Sequence, residues 1–113
     1  MPGTPFSATR HLRNGDTVLE LSGDVTRDAE PDLQAAYADA KTGPGRLLLD
    51  FGDVDYINST GIALIVGILA DSRSAGRAVG AFGLSDHYRE IFTITRLADF
   101  MTIYQDAAAA AGS

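Results

Sequence analysis

The sequence predicts an α/β domain built on a mostly parallel sheet. Three observations carry that prediction. Short apolar segments suited to strands alternate with segments whose apolar residues recur at helical spacing, the pattern of strands covered by crossover helices. Asn14-Gly15 separates the first two strand segments and tolerates the positive φ angles of a tight hairpin turn, which adds one antiparallel edge. Leu47-Leu48-Leu49 has no polar alternation, as expected of a strand buried on both faces.

The elements follow in order. Residues 1–5 hold two prolines and a glycine and are expected to lie loose. Residues 6–12 read as the first strand and residues 17–22 as the second, with Gly23 as its end. A helix is expected from Asp28, with Glu30 and Pro31 in its first turn, where an acid and a ring lacking an N–H both suit the free donors. Leu33, Ala36, Tyr37 and Ala40 give it one apolar stripe. Thr42-Gly43-Pro44-Gly45 stops it. Residues 46–51 form the central strand. The polar segment 52–61 is expected to be a turn that opens a helix running to Ser74. Ile62, Ile65, Val66 and Leu69 are its expected core stripe, and Ala63, Gly67 and Ala70 allow close approach elsewhere. Gly76 is a natural stop. Residues 78–82 are a short buried strand. Gly83-Leu84-Ser85-Asp86 leads into a helix through Arg96, with Tyr88, Ile91, Phe92 and Thr95 on one side. Residues 101–104 form a last strand and residues 106–111 a short helix, in an end that is expected to be loose from 107 to 113. The predicted order is ββαβαβαβα.

The bulk properties limit the function. The 113 residues suit one domain over 1–113, and 45% apolar content fills one core. Without cysteine there are no thiol nucleophiles, disulfides or thiolate metal sites. The net charge of −6 argues against nucleic acid and anionic membrane as partners, and favours a basic protein surface. The basic residues are eight arginines and Lys41. No signal peptide is visible, and the greasiest stretch, residues 61–70, is about half of what spans a bilayer. A soluble cytoplasmic protein is expected.

The chemistry concentrates in Asp55-Tyr56-Ile57-Asn58-Ser59-Thr60-Gly61. A buried strand leads to the rim of the sheet, where ligands and modifications of open α/β sheets usually sit. A hydrophobic helix then starts with small polar residues. Its free N–H groups and dipole receive a phosphate well. Phosphorylation adds about −1.5 to −2 charges at neutral pH. A serine here can therefore change the surface potential without unfolding the domain. Asn, Ser and Thr are also the preferred N-caps of any helix, so capping alone accounts for the residue types.

Asn58-Ser59-Thr60-Gly61, followed by Ile62-Ala63-Leu64, resembles the Asp-Ser-Ser/Thr-Gly motif of STAS-domain anti-sigma factor antagonists. Ser22-Gly23-Asp24-Val25-Thr26 is similar to that family's Gly-Glu-Leu-Asp segment, and Leu48-Leu49-Asp50-Phe51 to its central strand. Gly83-Leu84-Ser85 and residues 91–97 are similar to its C-terminal portion. The resemblance spans nearly the whole chain. It implies a STAS fold: a mostly parallel sheet of four to five strands, an N-terminal antiparallel hairpin, and helices mainly on one face. It implies a non-enzymatic regulator that works by partner switching in stress or sporulation signalling. In the family, an anti-sigma factor with a histidine-kinase-like, ATP-binding fold phosphorylates the serine, and a PP2C-type phosphatase restores it. Unphosphorylated antagonist binds the kinase and releases the sigma factor. By this resemblance Ser59 is the phosphorylation site and Thr60 the runner-up. The docking face comprises Gly23, Asp24, Thr26, Asp53, Asp55, Tyr56, Asn58, Thr60, Gly61, Leu64 and Ile68, the last two as exposed apolar contacts. Three positions depart from the pattern. Asn58 stands for the family's Asp and cannot be an anion. Asp24 takes the Glu position, and Thr26 the second acidic one. The Asn58 departure leaves a second reading open, an unphosphorylated STAS scaffold in a larger signalling assembly.

Other candidates carry less. Asp53 and Asp55 read as a solvated acidic loop, because no further ligand spacing follows for a metal. His11, His87 and Ser59 lack a nucleophile-elbow frame, so no catalytic residue is assigned. The glycines at 43–45 and 76–83 have neither a P-loop lysine nor a dinucleotide fingerprint, and no cofactor is expected. Tyr37, Phe92 and Phe100 are read as core or hinge aromatics.

Overall fold

Positive φ angles at Asn14 (53°) and Gly15 (83°) turn the chain back on itself between β1 (Ser7–Arg13) and β2 (Asp16–Val25). The two strands pair antiparallel from Ser7–Ser22 to Arg13–Asp16. The computed structural model describes residues 3–112. The elements that follow are α1 (Glu30–Ala40), β3 (Leu47–Ile57), α2 (Ser59–Ser74), β4 (Val79–Phe82), α3 (Asp86–Ile94), β5 (Thr102–Ile103) and α4 (Ala107–Ala111). Single 3-10 turns precede α1 at Arg27–Ala29 and follow α3 at Leu97–Asp99.

Among the described residues, five strands form one sheet in the order β1-β2-β3-β4-β5, parallel from β2 onward. Each new strand adds on the same side, so right-handed crossovers place α1, α2 and α3 on one face. The main core lies between them and the sheet. It joins Leu19, Leu21, Leu47, Leu49 and Phe51 to Leu33, Ile65, Leu69 and Phe92. The Phe51 and Phe92 rings meet edge to face with centroids 5.7 Å apart. Burial of each such side chain contributes roughly 1.5–3 kcal/mol. The opposite face has a smaller cluster of Val18, Leu48, Phe82 and Ala110, covered by α4. The expected sheet, hairpin and mainly one-sided helix layer are all present.

Several boundaries differ from expectation. Gly23 does not end β2. It is buried with φ +82°, and register shifts flank it as the strand continues to Val25. A bulge of this kind absorbs one residue without breaking the pairing. A Cβ at Gly23 would collide with the Pro5 carbonyl. Residues 52–57, expected as a turn, extend β3 instead, pairing with β2 through Ser22–Asp53 and Val25–Ile57. The helix α3 ends at Ile94, two residues early, and Arg96 takes φ +68°. Thr95, expected on the core side, is exposed.

Both described ends, expected to be loose, make tertiary contacts. The Thr4 amide donates to Asp24 Oδ2 at 3.0 Å, and the Asp24 amide donates to the Thr4 carbonyl at 3.1 Å. Asp106 caps α4 locally through Ala109 N at 2.9 Å, and Ala110 is buried against Val18, Leu48 and Phe82. Met1, Pro2 and Ser113 lie outside the described residues.

At the strands' N-terminal edge, Arg46 joins four segments. Its Nη2 donates to Asp16 Oδ2 at 2.7 Å and to the Ala110 carbonyl at 2.9 Å, and its Nη1 to Tyr104 Oη at 3.0 Å. The guanidinium holds the Asp16 carboxyl below its ordinary value of 3.8. An acid depressed in this way stabilises the fold above its unfolded-state value, and that contribution is lost as pH falls through the folded one. Asp16→Asn should therefore destabilise the domain by about 1–3 kcal/mol at pH 7. In thermal melts, the gap to wild type should hold above pH 3.8 and close below it.

Candidate functional site

The parallel strands β2 and β3 run past the end of β4, whose last partner is Asp50, opposite Phe82. Beyond that point they continue as a two-stranded ribbon, with Asp24 opposite Tyr56 and Val25 opposite Ile57. The ribbon delivers the chain directly into α2. Asn58 is the N-cap, and its side-chain Oδ1 accepts Gly61 N at 2.9 Å. The Asn58 amide donates to the Val25 carbonyl at 3.3 Å. Gly61 sits so close to that same carbonyl that any Cβ there would clash with it. The helix start is thus fixed to the end of β2.

Ser59 is the first helical residue and is exposed, as is Thr60 beside it. Asn58, Thr26, Asp24 and Tyr56 line one cleft next to them, together with Asp28 and Asp32. Asp53 and Asp55 are exposed on the ribbon. Among the described residues, none of Asp24, Asp28, Asp32, Asp53 and Asp55 joins an ion pair. The rim around Ser59 thus carries several acids without an ion-pair partner, with exposed Arg27 as a cation in the same segment. The structure brings Gly23, Asp24, Thr26, Asp53, Asp55, Tyr56, Asn58, Thr60 and Gly61 to this one edge. Leu64 lies half-buried one turn further on, in a groove between α1 and α2 with Thr60, Leu33 and Tyr37.

Ile68 is a correction. It is 6% exposed and belongs to the main core. Val66, expected inside, is 44% exposed instead. The buried positions of α2 are Gly61, Ile65, Ile68, Leu69 and Ser72, a single stripe of helical period. Phe100 is also corrected. It is 48% exposed, with Arg73 over its ring at 5.0 Å.

Tyr88 was expected only as a packing residue of α3. Its Oη accepts the Ile57 amide at 2.9 Å, so α3 holds the last residue before the cap. A tyrosine on a helix stripe carries no sequence signal for that role. Among the described residues, no group of His, Cys, Asp and Glu side chains is placed to hold a metal ion, and no helix is long and apolar enough to cross a membrane.

A hairpin-edged parallel sheet with an exposed serine at the start of the second helix defines the STAS class. Residues 9–103 match the family model described as MlaB, STAS domain. The chain is 30% identical over 84 residues to the anti-sigma-B factor antagonist of Listeria monocytogenes, covering 74% of each chain. The Listeria innocua protein of the same name matches equally. The chain belongs to the STAS-domain family of anti-sigma factor antagonists. A crystal structure of an anti-sigma factor antagonist from Mycobacterium paratuberculosis superposes with a TM-score of 0.79 at 18% identity, covering 94% of this chain and 91% of that one. The unphosphorylated form of the antagonist SpoIIAA superposes at 0.70 with 15% identity, covering 95% and 94%.

The cap makes a graded prediction. Asn58→Ala should cost about 0.5–2 kcal/mol in chemical denaturation. Asn58→Asp keeps the capping oxygen and adds a charge to the helix's positive end, so it should match or exceed wild type by up to about 1 kcal/mol. Tyr88→Phe leaves the part-buried Ile57 amide without its partner and should cost about 1–3 kcal/mol. Fraying of α2 in Asn58→Ala should show as faster amide exchange at Gly61.

Proposed function

We propose that this protein is an anti-sigma factor antagonist whose partner is a serine-kinase anti-sigma factor, and that phosphorylation of Ser59 ends the interaction. The observation that carries the proposal is the placement of Ser59. Its exposed hydroxyl stands on the positive tip of α2, beside a rim of unpaired carboxylates. The unmodified rim attracts a basic partner. A phosphate on Ser59 sits at helix N–H groups and so leaves the fold intact. At the centre of an interface the same dianion must be desolvated beside Asp24, Asp53 and Asp55. A mispaired interfacial charge costs about 2–5 kcal/mol, a roughly thirty- to several-thousandfold loss of affinity. One structural neighbour, at 17% identity and a TM-score of 0.68, is SpoIIAA in its phosphorylated form, which supports this reading. In the proposed cycle a PP2C-type phosphatase returns Ser59 to its free form. The protein itself acts as a binding module of the cytoplasm, not as an enzyme.

Asn58 supports a second reading, a STAS scaffold that is never phosphorylated. One experiment separates them. The protein is incubated with its cognate kinase and ATP and its mass is measured. A gain of one phosphoryl group that disappears in Ser59→Ala supports the switch. No gain, with large assemblies retained, supports the scaffold. Under the switch, Ser59→Ala keeps kinase affinity, while Ser59→Glu binds at least about tenfold more weakly and melts nearly as wild type. Equal affinity of the two variants in calorimetry would count against the charge mechanism.

A further inference from the structure

The outer side of the helix layer carries exposed apolar side chains that the Ser59 rim does not use. Among the described residues, the large apolar side chains left exposed are Leu12, Tyr56, Val66, Ile94 and Phe100. Single exposed apolar residues are ordinary, but a cluster of them marks a contact surface. Leu12 and Tyr56 stand apart on β1 and β3, whereas the other three belong to α2, the end of α3 and the turn after it. Val66 and Phe100 line a groove of about 570 Å³ there, with Leu69 and Leu97 as further apolar walls. Thr95 lines it too, directly after Ile94, which is 70% exposed. Two ions flank this patch. Arg73, two turns after Val66 on the same side of α2, lies over the Phe100 ring. Glu90, one turn before Ile94 on the same face of α3, is exposed. Among the described residues, neither Arg73 nor Glu90 joins an ion pair.

We propose that this patch binds a second copy of the same chain in a two-fold dimer. The proposal goes beyond the Ser59 switch and does not rest on it. The patch contains its own complement. Its unpaired cation is on α2 and its unpaired anion on α3, with Val66, Ile94 and Phe100 as the apolar part. In an isologous interface, residue i of one copy meets residue j of the other, and j meets i. A two-fold axis through the apolar part therefore sets Arg73 of each copy against Glu90 of the other. A guanidinium stacked on an aromatic ring is weakly hydrated and is enriched at interface centres. A small organic anion answers Arg73 but leaves Glu90 unpaired, which favours a second copy. Each copy has a net charge of −6, but that repulsion is screened beyond about 8 Å at physiological salt, while the apolar contact persists. Ser59 begins α2 fourteen residues before Arg73, about 21 Å along the axis. The dimer thus leaves both Ser59 residues open and offers two copies of that rim at once.

Sedimentation equilibrium of the full chain in about 0.15 M salt tests the dimer. The wild type should approach twice the 11.9 kDa of one chain as its concentration rises towards about 1 mM. Ile94→Lys and Phe100→Ser alter exposed side chains, so both should fold as wild type by circular dichroism and dimerise at least about tenfold more weakly. Arg73→Glu and Glu90→Arg set like charges against each other, and each should weaken the dimer at least about fivefold. The double variant Arg73→Glu/Glu90→Arg exchanges the two charges and should return to within about threefold of wild type. Ser59→Glu should dimerise as wild type. A wild type that stays monomeric at about 1 mM overturns the second copy as the occupant. A dimer that is unchanged in both Ile94→Lys and Phe100→Ser, or that is lost in Ser59→Glu, forms elsewhere on the molecule and overturns the patch. Single charge variants that weaken the dimer without recovery in the double variant overturn the Arg73–Glu90 pairing. No kinase or phosphate enters the measurement, so its failure leaves the Ser59 switch standing, and failure of that switch leaves a positive result intact.

Discussion

The carbonyl of Val25 decides where α2 begins. It accepts the Asn58 amide, and Gly61 packs against it with no space for a side chain. Asn58 then turns its own oxygen onto Gly61 N. Strand end, cap and first helical turn meet at one point. The rotation of α2 about its axis follows from that contact. With Gly61 inward, Ile65, Ile68 and Ser72 fall inward at successive turns. Ser59 and Thr60 fall outward by the same geometry. The exposure of the proposed acceptor is therefore a consequence of backbone packing two residues away.

The charge distribution follows a second constraint. The sheet's N-terminal edge uses cations to satisfy backbone and side-chain oxygens. Arg46 holds Asp16, Tyr104 and Ala110, while Arg77 donates to the carbonyls of Ala40 at 2.7 Å and Gly43 at 3.0 Å. Lys41 meets Asp71 at 3.0 Å beside the Tyr37 hydroxyl, which donates to the same carboxylate at 2.6 Å. Cations engaged at that edge are unavailable to the opposite one. The C-terminal edge, where Asp24, Asp53 and Asp55 gather, keeps its negative charge. The acids left without an ion pair at this edge give it a local negative potential that a basic partner can follow.

Much of this was legible where the signal is local. Asn14-Gly15 needs only its own φ angles to make a hairpin, and the leucine run needs only its neighbours to read as a buried strand. The misassignments have non-local causes. Residues 52–57 carry acids at 53 and 55 and look like a turn, but their pairing is dictated by a bulge at Gly23, some thirty positions away in sequence. Val66 and Ile68 exchanged roles because α2 is apolar almost all round from 62 to 69. Composition leaves the phase of such a helix open, and the Gly61 contact with β2 settles it. Asp24 was placed in the docking loop by resemblance, but nothing in its type foretold a buried carboxylate in a strand. Tyr88 is similar, since its stripe predicts packing and its hydroxyl finds a backbone amide across the fold.

Asn58 shows how cap and switch separate. The cap needs one acceptor oxygen, and Asn supplies it as well as Asp does. What Asn withholds is a charge adjacent to the serine that would gain a dianion. Two like charges about 4 Å apart repel by about 1 kcal/mol per unit pair in water, and by more where solvent is excluded. Removing that repulsion stabilises the phosphorylated form relative to an Asp-capped chain, while the dipole's attraction for the phosphate is unchanged. Any help that a carboxylate gives in positioning the hydroxyl is absent as well. Under the proposed switch, an Asn cap therefore favours keeping the phosphate once it is in place. The remaining acids, Asp24, Asp53 and Asp55, stand on the ribbon and not in the cap, so the repulsion that would drive the partner away is preserved at the interface while it is relieved at the helix tip.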